Sequence, residues 1–186
     1  AADLHKGTAE LTVDYDTFLN RYCAAFRPSI TDGAAAILIS HITVPVIETA
    51  PFCFSAKGIA LLRNKLGFSG LIITDDIAMQ ALRQNGAAPE ENAVRALAAG
   101  CDMVMCSLSK TYPLIEALAE KAAADTDFAA RLDEAVLRVL TAKQQAGLID
   151  TQKTIGTDGF FIPHTPDWEK FRQAKESAAV YQHKTP

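Results

Sequence analysis

A parallel α/β architecture, either a doubly wound open sheet or part of a (β/α)8 barrel, is what this sequence predicts. Three observations carry the expectation. Continuous apolar runs at 34–39, 70–74 and 101–106 read as strands buried on both faces. Segments with helical spacing separate them. Each run passes directly into polar or ionisable residues: Ser40-His41, Asp75-Asp76 and Ser107.

In chain order, residues 1–12 are polar and aperiodic and read as a loop. Over 14–31, Phe18, Tyr22 and Phe26 repeat at i, i+4 and i+8, one face of a helix closed by Pro28 and Asp32-Gly33. The first strand, 34–39, follows. A loop with Pro45 and Pro51 leads to Ser55, which can cap a helix over 56–66 with Ile59, Leu62 and Leu66 on one side and Gly67 at its end. The second strand spans 70–74. A short helix at 77–83 is broken by Asn85-Gly86, and Pro89 opens another at 90–99 that stops at Gly100. The third strand is 101–106. Two helices follow, Tyr112 to Ala124 and Asp127 to Gly147, the second striped by Leu132, Val136, Val139 and Leu140. Residues 151–164 read as a linker and 167–182 as an amphipathic helix. The expected organisation is one domain over 1–150 followed by a linker and helical tail over 151–186.

Length and composition fit a globular chain with a real core. There are 186 residues, 49% apolar and 22% charged, with net charge −4. No basic stripe suggests nucleic acid as a partner. No apolar run approaches the roughly 20 residues of a membrane helix. No leader pattern stands at the N-terminus, and the expected compartment is the cytoplasm, with the periplasm or secretion as alternatives. Cys23, Cys53, Cys101 and Cys106 lack CxxC spacing and read as small buried hydrophobes. The four histidines lack metal-site spacing, and no glycine-rich nucleotide motif occurs, so neither a metal nor a cofactor is expected.

In parallel α/β folds the functional end lies at the C-terminal edge of the strands. Asp75 stands there, and two readings remain open. It caps the next helix, or it acts chemically with Asp76 capping or orienting beside it. His41 ends the first strand as either a ligand or a satisfied rim histidine. Asp3 and His5 alternate on one side of an extended loop, where a carboxylate can orient an imidazole for proton transfer, or they are an ordinary surface pair.

Residues 37–82 resemble glycoside hydrolase family 3, most closely its bacterial β-N-acetylglucosaminidases. The shared features are a strand ending in His41, Pro45, the Pro51-to-Ser55 element, Leu61-Leu62-Arg63, the turn Gly67-Phe68-Ser69-Gly70, and Thr74-Asp75-Asp76-Ile77-Ala78-Met79. Asp3-Leu4-His5-Lys6-Gly7 looks like the Asp-x-His loop of that branch. The stretches Ala93 to Met105 and Arg131 to Leu148 resemble the last strand and closing helices. The resemblance implies the C-terminal part of a (β/α)8 barrel, about three βα units, without the family's first five strands, its Lys-His pair and the residues that grip the sugar. It implies retaining hydrolysis of terminal β-linked N-acetylglucosamine, as in peptidoglycan fragments. Asp75 would be the nucleophile and His5, supported by Asp3, the acid/base. His41, Asp76 and Met79 are the expected substrate-binding residues, and the expected partner is a carbohydrate.

Three alternatives stand beside this reading. One is a family 3 enzyme of the β-glucosidase type. Another is a fragment that needs its missing N-terminal half-barrel or self-association, because three parallel strands leave open edges. The last is a receiver-like domain with Asp75 or Asp76 as phosphoacceptor and Lys110 nearby, although the early acidic pair such a domain uses is missing.

Overall fold

The computed structural model describes residues 7–83, 87–107 and 111–149. The chain divides into two compact units, Ala1–Val139 and Leu140–Pro186. In the second unit the described residues are the end of a helix and a turn through Gly147, which takes a positive φ of 69°. The linker and helix expected over 151–182 lie outside the described residues, as do Asn85-Gly86 and Lys110.

The first unit opens with a continuous helical segment. It is built from α1 (Tyr15–Thr17), a π turn (Phe18–Tyr22), a 3-10 turn (Cys23–Phe26) and α2 (Arg27–Thr31). Asp14 caps it by accepting the Thr17 N–H at 2.8 Å. Strand β1 (Ala36–Ile39) follows. The Pro-containing loop expected next holds a small antiparallel pair, β2 (Thr43–Val44) with β3 (Glu48–Pro51). Two residues of β2 and the four of β3, Glu-Thr-Ala-Pro, carry too little apolar alternation to be seen in sequence. The segment before the first helix is fastened here: Leu11 N–H donates to Thr43 O at 2.8 Å and Thr43 N–H to Ala9 O at 2.9 Å.

Ser55 caps α3 (Ala56–Ala60), as expected. Its Oγ accepts the Gly58 N–H at 2.9 Å and donates to Glu48 at 2.7 Å. A π turn (Leu61–Lys65) extends the helix to Gly67, whose φ of 71° ends it. Strand β4 (Leu71–Asp76) carries both aspartates inside the strand, two residues beyond the expected end. The helix expected at 77–83 is a 3-10 turn, Gln80–Leu82. Then come α4 (Pro89–Ala99), β5 (Met103–Met105), α5 (Tyr112–Ala124) and α6 (Thr126–Gln145).

The sheet is parallel, in the order β1-β4-β5. One face carries the core: Ile37, Ile39 and Ile72 pack with Ile59, Leu62, Phe68, Ala93 and Ala96 from the helices. Burial on both faces was the expectation, and here the structure differs. Leu38 is 54% exposed, Met103 37% and Met105 40%, so the opposite face of the outer strands is open. An apolar run shows that a strand could be covered twice, not that both covers are present.

The N-terminal edge of the sheet is held by charge. The buried Asp102, just before β5, accepts the Ile72 N–H at 2.9 Å and pairs with Arg63 at 2.5 Å and Arg131 at 3.1 Å. Arg63 also donates to the carbonyls of Phe68 and Gly70, bracketing the turn into β4. A Cβ on Gly70 would stand 2.5 Å from the Ala35 carbonyl oxygen, which explains a glycine there.

Candidate active site

The three strand ends converge at the opposite, C-terminal edge, and Asp76 joins them. Its carbonyl accepts the His41 ring Nε2 at 2.9 Å, reaching the end of β1. Its carboxylate Oδ1 accepts the Ser107 N–H at 3.2 Å, reaching the end of β5. The same oxygen accepts the Ala78 N–H at 2.9 Å, and the carbonyl also takes the Met79 N–H at 3.0 Å. Burial opposes charge on Asp76, but the hydrogen bonds from Ser107 and Ala78 outweigh it and hold the carboxyl below the usual aspartate value of 3.8.

Asp75 is half-buried beside this junction. Its Oδ1 accepts the Asp76 N–H at 2.8 Å, and Oδ2 takes no hydrogen bond from a described residue. The ladder between β4 and β5 is irregular here: Ile73 pairs with Met103, and the next pair is Asp76 with Met105. Three steps on one strand match two on the other, a bulge, which re-aims side chains locally. Met105 N–H also lies within hydrogen-bond reach of a side chain, donating to the buried Thr74 Oγ at 3.1 Å. Thr74, Asp75 and Asp76 therefore have distinct surroundings: one accepts from the neighbouring strand through its hydroxyl, one offers a half-free carboxylate, and one ties the strand ends.

His41 is 1% exposed. Its second ring nitrogen, Nδ1, lies 3.2 Å from the Cys53 Sγ. With both nitrogens engaged, the ring presents no polar atom to a ligand in this conformation. Burial lowers its pKa from the ordinary 6.5, against the Asp76 carbonyl and the carboxylates of Asp75 and Asp76, which pull it up. Met79 is buried at the foot of the turn after β4. Asp3 and His5 lie outside the described residues. Cys53 and Thr74 were not expected to take part. Thr74 could have been suspected, because a hydroxyl in a buried strand needs a partner; nothing local to Cys53 marks it.

What the arrangement can do follows from Asp75: one oxygen fixed by a main-chain N–H and one available, at the C-terminal edge of a parallel strand. That suits a nucleophile or an electrostatic stabiliser rather than a helix cap, because no helix starts at Asp75: β4 runs on through Asp76, and the 3-10 turn that follows begins at Gln80.

Comparison with known proteins adds the family context. Residues 1–142 match the glycosyl hydrolase family 3 N terminal domain. The chain is 39% identical over 105 residues to a beta-hexosaminidase of Nitrosomonas eutropha, covering 56% of this chain and 30% of that protein. A beta-hexosaminidase of Methylobacillus flagellatus is 35% identical over the same length, again with 30% of it covered. Among solved structures, a beta-N-acetylhexosaminidase from Beutenbergia cavernae matches with TM-score 0.67 and 35% identity, covering 76% of this chain and 43% of that one. A family 3 beta-N-acetylglucosaminidase from Paenibacillus matches with TM-score 0.69 and 27% identity, covering 94% and 34%. The chain spans 30% of the length of these curated relatives.

Proposed function

The chain belongs to glycosyl hydrolase family 3, and on that premise we propose that it carries the nucleophile-bearing part of a retaining β-N-acetylhexosaminidase barrel, with Asp75 as nucleophile. The supporting observation is the Asp75 carboxylate at the end of β4, anchored among the described residues through Oδ1. Asp75 attacks the anomeric carbon of a terminal β-linked N-acetylglucosamine and forms a glycosyl-enzyme. His5, oriented by Asp3, gives its proton to the departing oxygen. It then takes a proton from water, which displaces Asp75 with net retention. The segment that follows Asp3-Leu4-His5 is tied at Thr43, two residues past His41, in keeping with a loop that serves the same edge. The deciding measurement is Asp75→Ala against an aryl N-acetylglucosaminide: loss of turnover supports the assignment, and undiminished turnover sinks it.

A second reading has its own support. The open faces of β1 and β5 and an apolar groove beside β1, lined by Phe18, Tyr22, Phe26, Ile37 and Leu38, suit a chain completed by the rest of a barrel. On this reading the chain is inactive alone and gains activity when the N-terminal portion is supplied. Assays of the chain with and without that portion, alongside its oligomeric state, separate the two.

A further inference from the structure

We propose that His41 is a positioning residue: locked by the Cys53 thiol as its Nε2–H tautomer, it holds the Asp76 carbonyl and so fixes the turn from which Asp75 presents its carboxylate. This rests on Asp75 being the nucleophile.

The tautomer follows from the partners. A main-chain carbonyl can only accept, so the nitrogen facing Asp76 O at 2.9 Å must carry the proton. Nδ1 then has only a lone pair, and the group 3.2 Å away must donate to it, which a thiol can do. The surroundings agree. Cys53 is 0% exposed, and burial pushes its thiol up, well away from the thiolate. Burial also keeps the imidazole neutral, against the nearby carboxylates of Asp75 and Asp76.

A Cys–His pair within hydrogen-bond reach can also mark a nucleophile and its base. That role needs an accessible thiolate beside a cation, and a sealed neutral thiol is inert. The pair is a strut. It lies behind the strand ends and bears on one atom, the Asp76 carbonyl oxygen.

That atom matters because Asp76 is gripped on both sides of its backbone. Its N–H goes to Asp75 Oδ1, and its C=O goes to His41 and to Met79 N–H. Removing the His41 donor leaves the carbonyl, among the described residues, with the Met79 bond and frees the residue that anchors Asp75. A glutamine side chain can bring an amide N–H close to the place of Nε2; leucine fills the space without a donor.

The test compares His41→Gln and His41→Leu in the full chain, together with nitrogen NMR of the ring in the unmutated protein. The ring should show a protonated Nε2 and a bare Nδ1, unchanged from about pH 8 down to the ordinary imidazole range. Exchange of the Met79 amide should quicken in His41→Leu and stay slow in His41→Gln, with the core strands equally protected in both. Hydrolysis of an aryl N-acetylglucosaminide should fall in kcat by roughly tenfold to a hundredfold in His41→Leu at nearly constant KM, and recover in His41→Gln. A protonated Nδ1, or a raised KM with unchanged kcat, would overturn the inference; the latter would make His41 a sugar contact. If no form of the chain hydrolyses the substrate, the glycosidase reading of the isolated chain fails, and ring tautomer and Met79 exchange decide the strut by themselves.

Discussion

The Asp76 carboxylate accepts the Ser107 N–H at 3.2 Å, across 31 positions of sequence. The end of β4 is thus tied to the residue that leaves β5 by a side chain, at the point where the strand ladder has become irregular. This bond makes Asp76 a structural neighbour of Asp75 rather than its duplicate.

Asp76→Ala removes the acceptor of two backbone N–H groups and should destabilise the chain by about 1–3 kcal/mol in urea unfolding. Asp76→Asn, which keeps an acceptor oxygen, should lose less. The native pKa of Asp76 lies below the unfolded value of 3.8. Its contribution is therefore complete above that value and is lost as pH falls through the lower native pKa. Equal losses in the two variants at neutral pH would contradict this account.

His41 gives a second pH dependence, nearer neutrality. Its native pKa is depressed below 6.5. Between the two values the unfolded chain binds more protons, so stability rises with pH there, is complete above 6.5 and declines as pH falls through the native value. Unfolding midpoints measured from pH 7 to 5 should fall in the wild-type chain and fall less steeply in His41→Gln. Parallel slopes would show that His41 is not the group responsible.

Asp102 faces three arginines, Arg63, Arg131 and Arg138, while its own side chain is buried. Asp102→Ala leaves those cations without their shared anion and the Ile72 N–H without its acceptor. The expected cost is about 3–5 kcal/mol, read as a lower midpoint in denaturant. Asp102→Asn keeps one acceptor and should fall between wild type and alanine.

Gly70→Ala would drive a methyl group against the Ala35 carbonyl, 2.5 Å from its oxygen, and against the buried Phe68 ring at 2.7 Å, where backbone and a packed ring leave little to yield. A cost of about 1–3 kcal/mol is expected from such overpacking. Thermal unfolding that matches the wild type would show that the turn can shift.

Much of the fold was legible along the chain. The three apolar runs became the three parallel strands, Ser55 became a cap, and Gly67 and Gly100 ended helices in positive-φ conformations. These are local matters. Periodicity, capping oxygens and glycine torsions act within a few residues, so the sequence displays them. The β2–β3 pair escaped because β2 has only two residues and β3, Glu48–Pro51, has no apolar alternation to detect. At the site, the sequence and its resemblance singled out Asp75, Asp76, His41 and Met79, with Asp3 and His5 outside the described residues.

What the described ones among these residues touch was decided at longer range. The sequence by itself determined which residues stand at the strand ends, because burial pattern and turn chemistry are written locally. Only the tertiary structure decided that His41 faces the Asp76 carbonyl 35 positions away with Cys53 behind it, that Ser107 closes onto Asp76, and that one face of the sheet is open. The physical reason is register. A hydrogen bond between strand ends exists only once neighbouring strands have fixed their alignment, and the bulge between Ile73 and Asp76 shifts that alignment by one residue where it meets the carboxylates.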